Sequence, residues 1–191
     1  MAERLEHGRR FEGLKMDNLT PAQKVVAERV IRGPRGSLGA PWNGLLRSPG
    51  VADAVDRLGD YVRFRTGFSA RVNELVILTL AREWDAPFPW YSHVPAALKA
   101  GLERVTIEEI AQGRRPRGIT EEEHTVRDFV LELARTRTAG DALYANFRDR
   151  FGEKGVVDMI GLMGYYFMLS LVLTVDSFPM PPYESLPLPS R

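Results

Sequence analysis

Residues 73–102 read NELVILTLAREWDAPFPWYSHVPAALKAGL. Leu75, Val76, Leu78, Thr79 and Ala81 make the first part apolar around most of a helical surface, the mark of a helix enclosed by other elements. Ser69 stands just ahead of it as a side-chain cap, so the pattern predicts a helix from Ala70 to about Trp84. Residues 85–90, DAPFPW, hold two closely spaced prolines, which predict a break and an extended turn. A second helix follows and stops at Gly101, a residue suited to ending a helix.

Two polar side chains in this stretch can carry chemistry. Glu74 lies in the first turn of its helix, where a carboxylate either complements the helix dipole or points towards His93. His93 lies near the start of the second helix and shares a face with Ala97. It is either a structural histidine that caps or packs, or an acid–base group working at neutral pH.

On the N-terminal side, residues 1–18 form a polar arm. Thr20-Pro21-Ala22-Gln23 has the pattern of a capped start, with a helix to about Ile31. Residues 33–47, GPRGSLGAPWNGLLR, read as a loop whose Trp42 either anchors it to the core or lies over a pocket. Ser48-Pro49 opens a helix with Val51, Val55, Leu58 and Val62 as its apolar stripe, and Arg63 and Arg65 complement the dipole near its end.

On the C-terminal side, Thr106–Glu109 reads as a capping box for a helix to about Gln112. The basic loop GRRPRG, residues 113–118, is either simply solvated or attracts an anion. Thr120–Glu123 is a second box, for a helix to about Thr136 built on Val126, Phe129, Val130 and Leu133, with His124 exposed near its start. Asp141 caps a helix to about Phe151, and a last helix runs from about Glu153 to Val175. Residues 159–175, MIGLMGYYFMLSLVLTV, carry no charge but are bracketed by Asp158 and Asp176. A membrane span needs about 20 apolar residues, so this run reads as a helix buried in the core or between subunits, with Gly161 and Gly164 allowing close contact. The proline-rich tail reads as extended, and as disordered or draped on a neighbour. No stretch reads as a strand. The expectation is an all-α protein of seven or eight helices: an arm (1–18), one domain (19–178) and a tail (179–191).

Composition narrows the function classes. Twenty-six basic residues against 25 acidic ones, a net charge of +1, argue against nucleic acid or an anionic membrane as partner. With no cysteine in the chain, disulfides, thiolate nucleophiles and cysteine-ligated metals are excluded. Its histidines, His7, His93 and His124, have no metal-ligand spacing to one another, so no metal site is expected. The start, MAERLEHGRRFEGLK, lacks the apolar core of a signal peptide, which makes a cytoplasmic location the expectation.

From about residue 40 to 180 the chain resembles the carboxymuconolactone decarboxylase and alkylhydroperoxidase D (AhpD) family. The resemblance rests on Glu74, the turn, HVPAALKAG (93–101) and RFGEKGVVDMIGLMGYYFML (150–169). In the peroxidase branch the turn carries a Cys-x-x-Cys pair followed by a histidine. Here those positions hold Ala86, Pro89 and His93, and Phe88 stands where a histidine is frequent. Peroxidase and disulfide-reductase chemistry is thereby ruled out. The decarboxylase branch works without cysteine or cofactor. The resemblance implies an AhpD-like helical domain, assembled as trimers or trimer-based hexamers with sites near subunit boundaries.

The leading expectation is therefore a cofactor-independent lyase, decarboxylase-like, or an isomerase, acting on a small carboxylated cyclic compound. His93 would move the proton and Glu74 would orient it, while Phe88, Trp90, Tyr91 and Trp42 would shape an apolar pocket. A hydroxyl of Tyr91, Tyr165 or Tyr166 would donate to a developing enolate oxygen. The alternative is a non-catalytic oligomeric scaffold whose pocket is filled by Phe88 and Trp90.

Overall fold

Eight α-helices and one 3-10 turn make up the regular structure of the described residues, 9–182 and 186–190, in the computed structural model. They are α1 (Pro21–Arg32), α2 (Trp42–Leu45), α3 (Pro49–Phe64), α4 (Ala70–Glu83), α5 (Pro87–Lys99), α6 (Arg104–Ala111), α7 (Glu121–Thr136) and α8 (Asp141–Asp176). No strand occurs among these residues, so the fold is all-α, as the apolar periodicity predicts.

Helix α4 is the centre. Every residue from Val72 to Arg82 is buried, and α3, α5, α6, α7 and α8 all pack on it. Its two sides feed two cores. Val72, Val76, Ile77 and Leu80 join the larger one with α1, α3, α7 and α8, whereas Leu75, Leu78 and Ala81 join a smaller one with α5 and α6. A helix apolar all round is stable only when neighbours cover all of it.

The break after α4 differs from the expected extended proline turn. Asp85 takes a left-handed conformation (φ 47°), and the Ala86 N–H donates back to the Ala81 carbonyl at 2.8 Å. This is a Schellman closure, which satisfies the last carbonyls of the helix. Pro87 and Pro89 then lie in the first turn of α5, where a missing N–H costs no helix bond. His93 consequently sits in the second turn of α5.

The caps at Thr20, Ser69 and Thr120 form as the sequence predicts, two of them as full capping boxes. The box at Thr106–Glu109 does not form: α6 starts at Arg104, and both side chains serve the following loop instead. Thr106 donates to the Arg117 carbonyl at 2.8 Å, and Glu109 accepts from the Arg117 backbone N–H at 2.6 Å. The basic loop is thus tied down. Nor does Asp141 cap α8, because Gly140 takes the cap position. The stripe on α3 is rotated from the expected one. Val55 and Val62 are buried, but Ala52, Asp56 and Gly59 share their face while Val51 and Leu58 are exposed. Ion pairs from Arg29 and Arg35 make the burial of Asp56 tolerable. His124 is half-buried rather than exposed.

Helix α8 is interrupted at Gly152 (φ 69°, ψ 172°), which separates the two helices read from the sequence. It is the one helix among the described residues long and apolar enough to cross a membrane, and half of its most apolar window is buried within this chain. Its end holds the N-terminal segment: Asp176, 1% exposed, accepts from Arg9 at 2.6 Å and from the Phe11 N–H at 2.9 Å. Over residues 186–190 the tail packs on its own chain. The Leu186 carbonyl accepts from Trp90 Nε1 at 2.8 Å and the Pro189 carbonyl from Arg82 at 2.6 Å. Residues 183–185 lie outside the described residues.

Candidate functional site

Glu74 and His93 meet because α5 folds back along α4. His93 Nδ1 lies 2.8 Å from Glu74 Oε2. A carboxylate can only accept, so Nδ1–H is the donor and Nε2 of the neutral ring is left as the basic nitrogen. The remaining flank of the imidazole is covered by Tyr166, whose ring meets it edge-on (5.1 Å between centroids, 84°). Tyr166 in turn meets Tyr165 edge-on at 5.2 Å. The two adjacent tyrosines of α8 therefore form a wall beside His93.

His93 opens onto a cavity of about 380 Å³. Its floor comes from α5 (Phe88, Pro89, Ser92) and its back from α8 (Tyr165, Tyr166, Leu169, Leu173). The 34–41 loop and Trp42 form the roof, and Arg63 and Phe64 at the end of α3 close the side. Asn73, the neighbour of Glu74, donates to the Arg63 carbonyl at 3.2 Å and ties that side to α4.

The polar groups around this cavity are under-used. The Tyr166 hydroxyl is buried without a hydrogen-bond partner, and the Tyr165 hydroxyl and Arg35 Nη2 are buried with no partner beyond each other. An unmade bond at a buried donor costs about 1–3 kcal/mol, so polar groups this short of partners in one place are an unusual expense for packing alone. Burial pushes the Tyr166 hydroxyl well above the usual tyrosine range, with Glu74 and Tyr165 adding to the shift and Arg63 and Arg35 opposing it. Burial likewise raises Tyr165 against the pull of Arg35 and Arg63. Both hydroxyls stay protonated at neutral pH and remain hydrogen-bond donors.

The residues singled out in the sequence divide into two groups. Trp42, Phe88, His93, Tyr165 and Tyr166 share the cavity, with Glu74 behind His93. Trp90 and Tyr91 do not line it. Trp90 is wholly buried in the smaller core, where its indole N–H holds the tail, because the helical start of α5 turns it away from Phe88. Tyr91 sits next to the Phe88 ring, 6.3 Å away. The sequence reading missed Arg35, which is hidden in an aperiodic loop, and took Arg63 for a dipole partner only. A weak signal was Gly59 on the buried face of α3. A Cβ there would lie 2.6 Å from Tyr165 Cε2 and would also strike the Arg35 guanidinium, so the glycine makes room for both.

Among the described residues no three histidine, aspartate or glutamate side chains converge as a metal site. Neither a protein-family model nor a curated protein sequence matches the chain. Solved structures do. A protein of unknown function from Agrobacterium tumefaciens, described as a candidate antioxidant defence protein AhpD, aligns with a TM-score of 0.63 at 21% identity, over 71% of this chain and 94% of its own. An uncharacterised peroxidase-related protein from Silicibacter sp. TM1040 aligns with a TM-score of 0.72 at 13% identity, over 94% and 96%. The debrominase Bmp8, as a cysteine-to-alanine variant in complex with 2,3,4-tribromopyrrole, aligns with a TM-score of 0.69 at 13% identity, over 93% and 92%. At these identities the likeness speaks for architecture and not for activity: the chain has the all-helical fold of the AhpD-like and peroxidase-related proteins.

Proposed function

We propose that the protein is a cofactor-independent acid–base enzyme, a decarboxylase-like lyase or an isomerase, acting on a small carboxylated cyclic compound. The observation that carries this reading is the Glu74–His93 pair at 2.8 Å, opening onto a cavity whose tyrosine hydroxyls are unspent donors. In the lyase form, the bond between the carboxylate carbon and the ring breaks and CO2 leaves. The electron pair moves into a carbonyl conjugated with that bond in the substrate, and the enolate oxygen accepts from a tyrosine hydroxyl. His93, having taken up a proton from water at Nε2, then delivers it to the ring carbon and returns to the neutral ring, while Glu74 holds the imidazole through Nδ1 and stabilises its charged form. In the isomerase form, His93 Nε2 takes a proton from one carbon and returns it to another. The solved debrominase holds a small ring compound, which is in keeping with a substrate of that size here.

The rival reading, a scaffold without catalysis, requires Phe88 and Trp90 to plug the pocket. Trp90 is turned into the smaller core and Phe88 lies along the cavity wall, which favours the enzyme. The working form we propose is a soluble, cytoplasmic homotrimer or hexamer. Val157, Ile160, Phe167, Leu171 and Val175 are exposed on α8, and with Gly164 they follow one another at helical spacing. That is a stripe a second copy would cover.

The test is an assay of CO2 release and of isomerisation over carboxylated lactones, β-keto acids and aromatic acids. The expected result is turnover by the wild type and none by a folded His93→Ala variant. Equal turnover by the two would remove His93 from the mechanism.

A further inference from the structure

Arg35 is the buried charge in this region that the acid–base chemistry does not use. Its side chain is 10% exposed, and its Nη2 has no partner beyond the neighbouring Tyr165 hydroxyl. The nearest carboxylate, Asp56, lies 3.7 Å from its Nε and is already engaged by Arg29 Nε at 2.8 Å. The guanidinium lies over the rings of Trp42 and Tyr165, 5.6 Å from each centroid. It is held there in advance of any ligand. Across the cavity, the Arg63 guanidinium rests on the Phe64 ring at 4.9 Å and makes no hydrogen bond or ion pair among the described residues. The lining contains these two arginines and no aspartate or glutamate.

We propose that Arg35, with Arg63 and the Tyr165 and Tyr166 hydroxyls, is an oxyanion-recognition site that takes the carboxylate or phosphate of a small ring compound. It rests on the functional reading of the same cavity and adds the residues that select the substrate. Three features converge on it. Two arginines and two tyrosines line one space whose lining holds no carboxylate. The lining residues carry positive charge and no carboxylate, and the Arg35 charge is met only by Asp56 behind it, at 3.7 Å. The other walls, Phe88, Pro89, Leu169 and Leu173, are apolar, so they fit a ligand charged at one end and apolar over its body. A guanidinium presents paired N–H donors that match an oxyanion in two-point contact.

The test is calorimetric titration of the full chain with benzoate, phenyl phosphate and benzyl alcohol, which share a ring and differ in charge. At least one of the two anions is expected to bind about tenfold or more tightly than benzyl alcohol, and which one does so identifies the oxyanion. Arg35→Gln is expected to lower anion affinity about 10- to 100-fold while leaving benzyl alcohol unchanged, the range for a hydrogen bond to a charged group. Should Arg35→Gln fail to fold by circular dichroism, Arg63→Gln, at a partly exposed side chain, carries the same comparison. His93→Asn should keep the preference for the anion. Anion selectivity without turnover would thus remove the acid–base reading and leave this site standing. Equal affinity for all three compounds, or a preference that survives substitution of the arginine, overturns it.

Discussion

His93 is set by Glu74 on one flank and Tyr166 on the other. A positioned base of this kind contributes through orientation, so the Glu74 charge should matter to rate more than to binding. Glu74→Gln keeps an acceptor for Nδ1–H but loses the charge that stabilises a protonated ring. The expected outcome is a kcat lower by about a hundredfold, with KM within a factor of about three and an unchanged melting temperature. A change in KM alone would make Glu74 a binding group. The tyrosines give a pH signature. Their folded pKa values are raised by burial, so folding stability is fully present below the unfolded tyrosine value of about 10 and falls as pH rises above it. Urea unfolding between about pH 8 and 11 should show this fall, and Tyr166→Phe should flatten it. An identical pH slope in the variant would contradict the assignment. At this scale Glu74 and His93 were legible because each lies in a strongly patterned helix flanking a turn. Arg35 was not, because an aperiodic glycine-rich loop does not state where its side chains go.

Among the elements, the helices are written in their caps. Thr20, Ser69 and Thr120 each stand where a side-chain oxygen meets a free N–H. Thr106–Glu109 has the same letters, but a fully buried threonine and a nearby loop offered better partners. Local pattern cannot rank such tertiary competitors. The same limit explains α3, whose apolar stripe was misplaced by one face because Asp56 and Gly59 are buried for the sake of Arg29, Arg35 and Tyr165. Gly152 divides α8 with φ 69° and ψ 172°, a region essentially reserved for glycine. A Cβ there would meet nothing within 4 Å, so Gly152→Ala isolates the backbone cost. It should lower stability by about 1–3 kcal/mol in thermal or urea unfolding. No loss would mean that α8 runs straight in solution.

At the scale of the whole molecule, α8 serves two surfaces at once. One face builds the cavity wall through Tyr165 and Tyr166, and the other carries the exposed apolar stripe from Val157 to Val175. Light scattering is expected to give three or six times the chain mass, and Ile160→Glu, within that stripe, is expected to reduce it. A wild-type monomer would remove the assembly from the account. The all-α class followed from apolar periodicity alone, since no segment alternates. The return of the tail onto Trp90 and Arg82 did not, because prolines dictate extension and not destination. Proton transfer at one imidazole is the centre of the proposed chemistry. Its most direct test is deuterium incorporation followed by NMR, with wild type and His93→Ala incubated in D2O beside carboxylated lactones, β-keto acids and aromatic acids. Label entering a ring carbon with the wild type and not with the folded variant is the predicted result. Incorporation at the same rate in both proteins would contradict it.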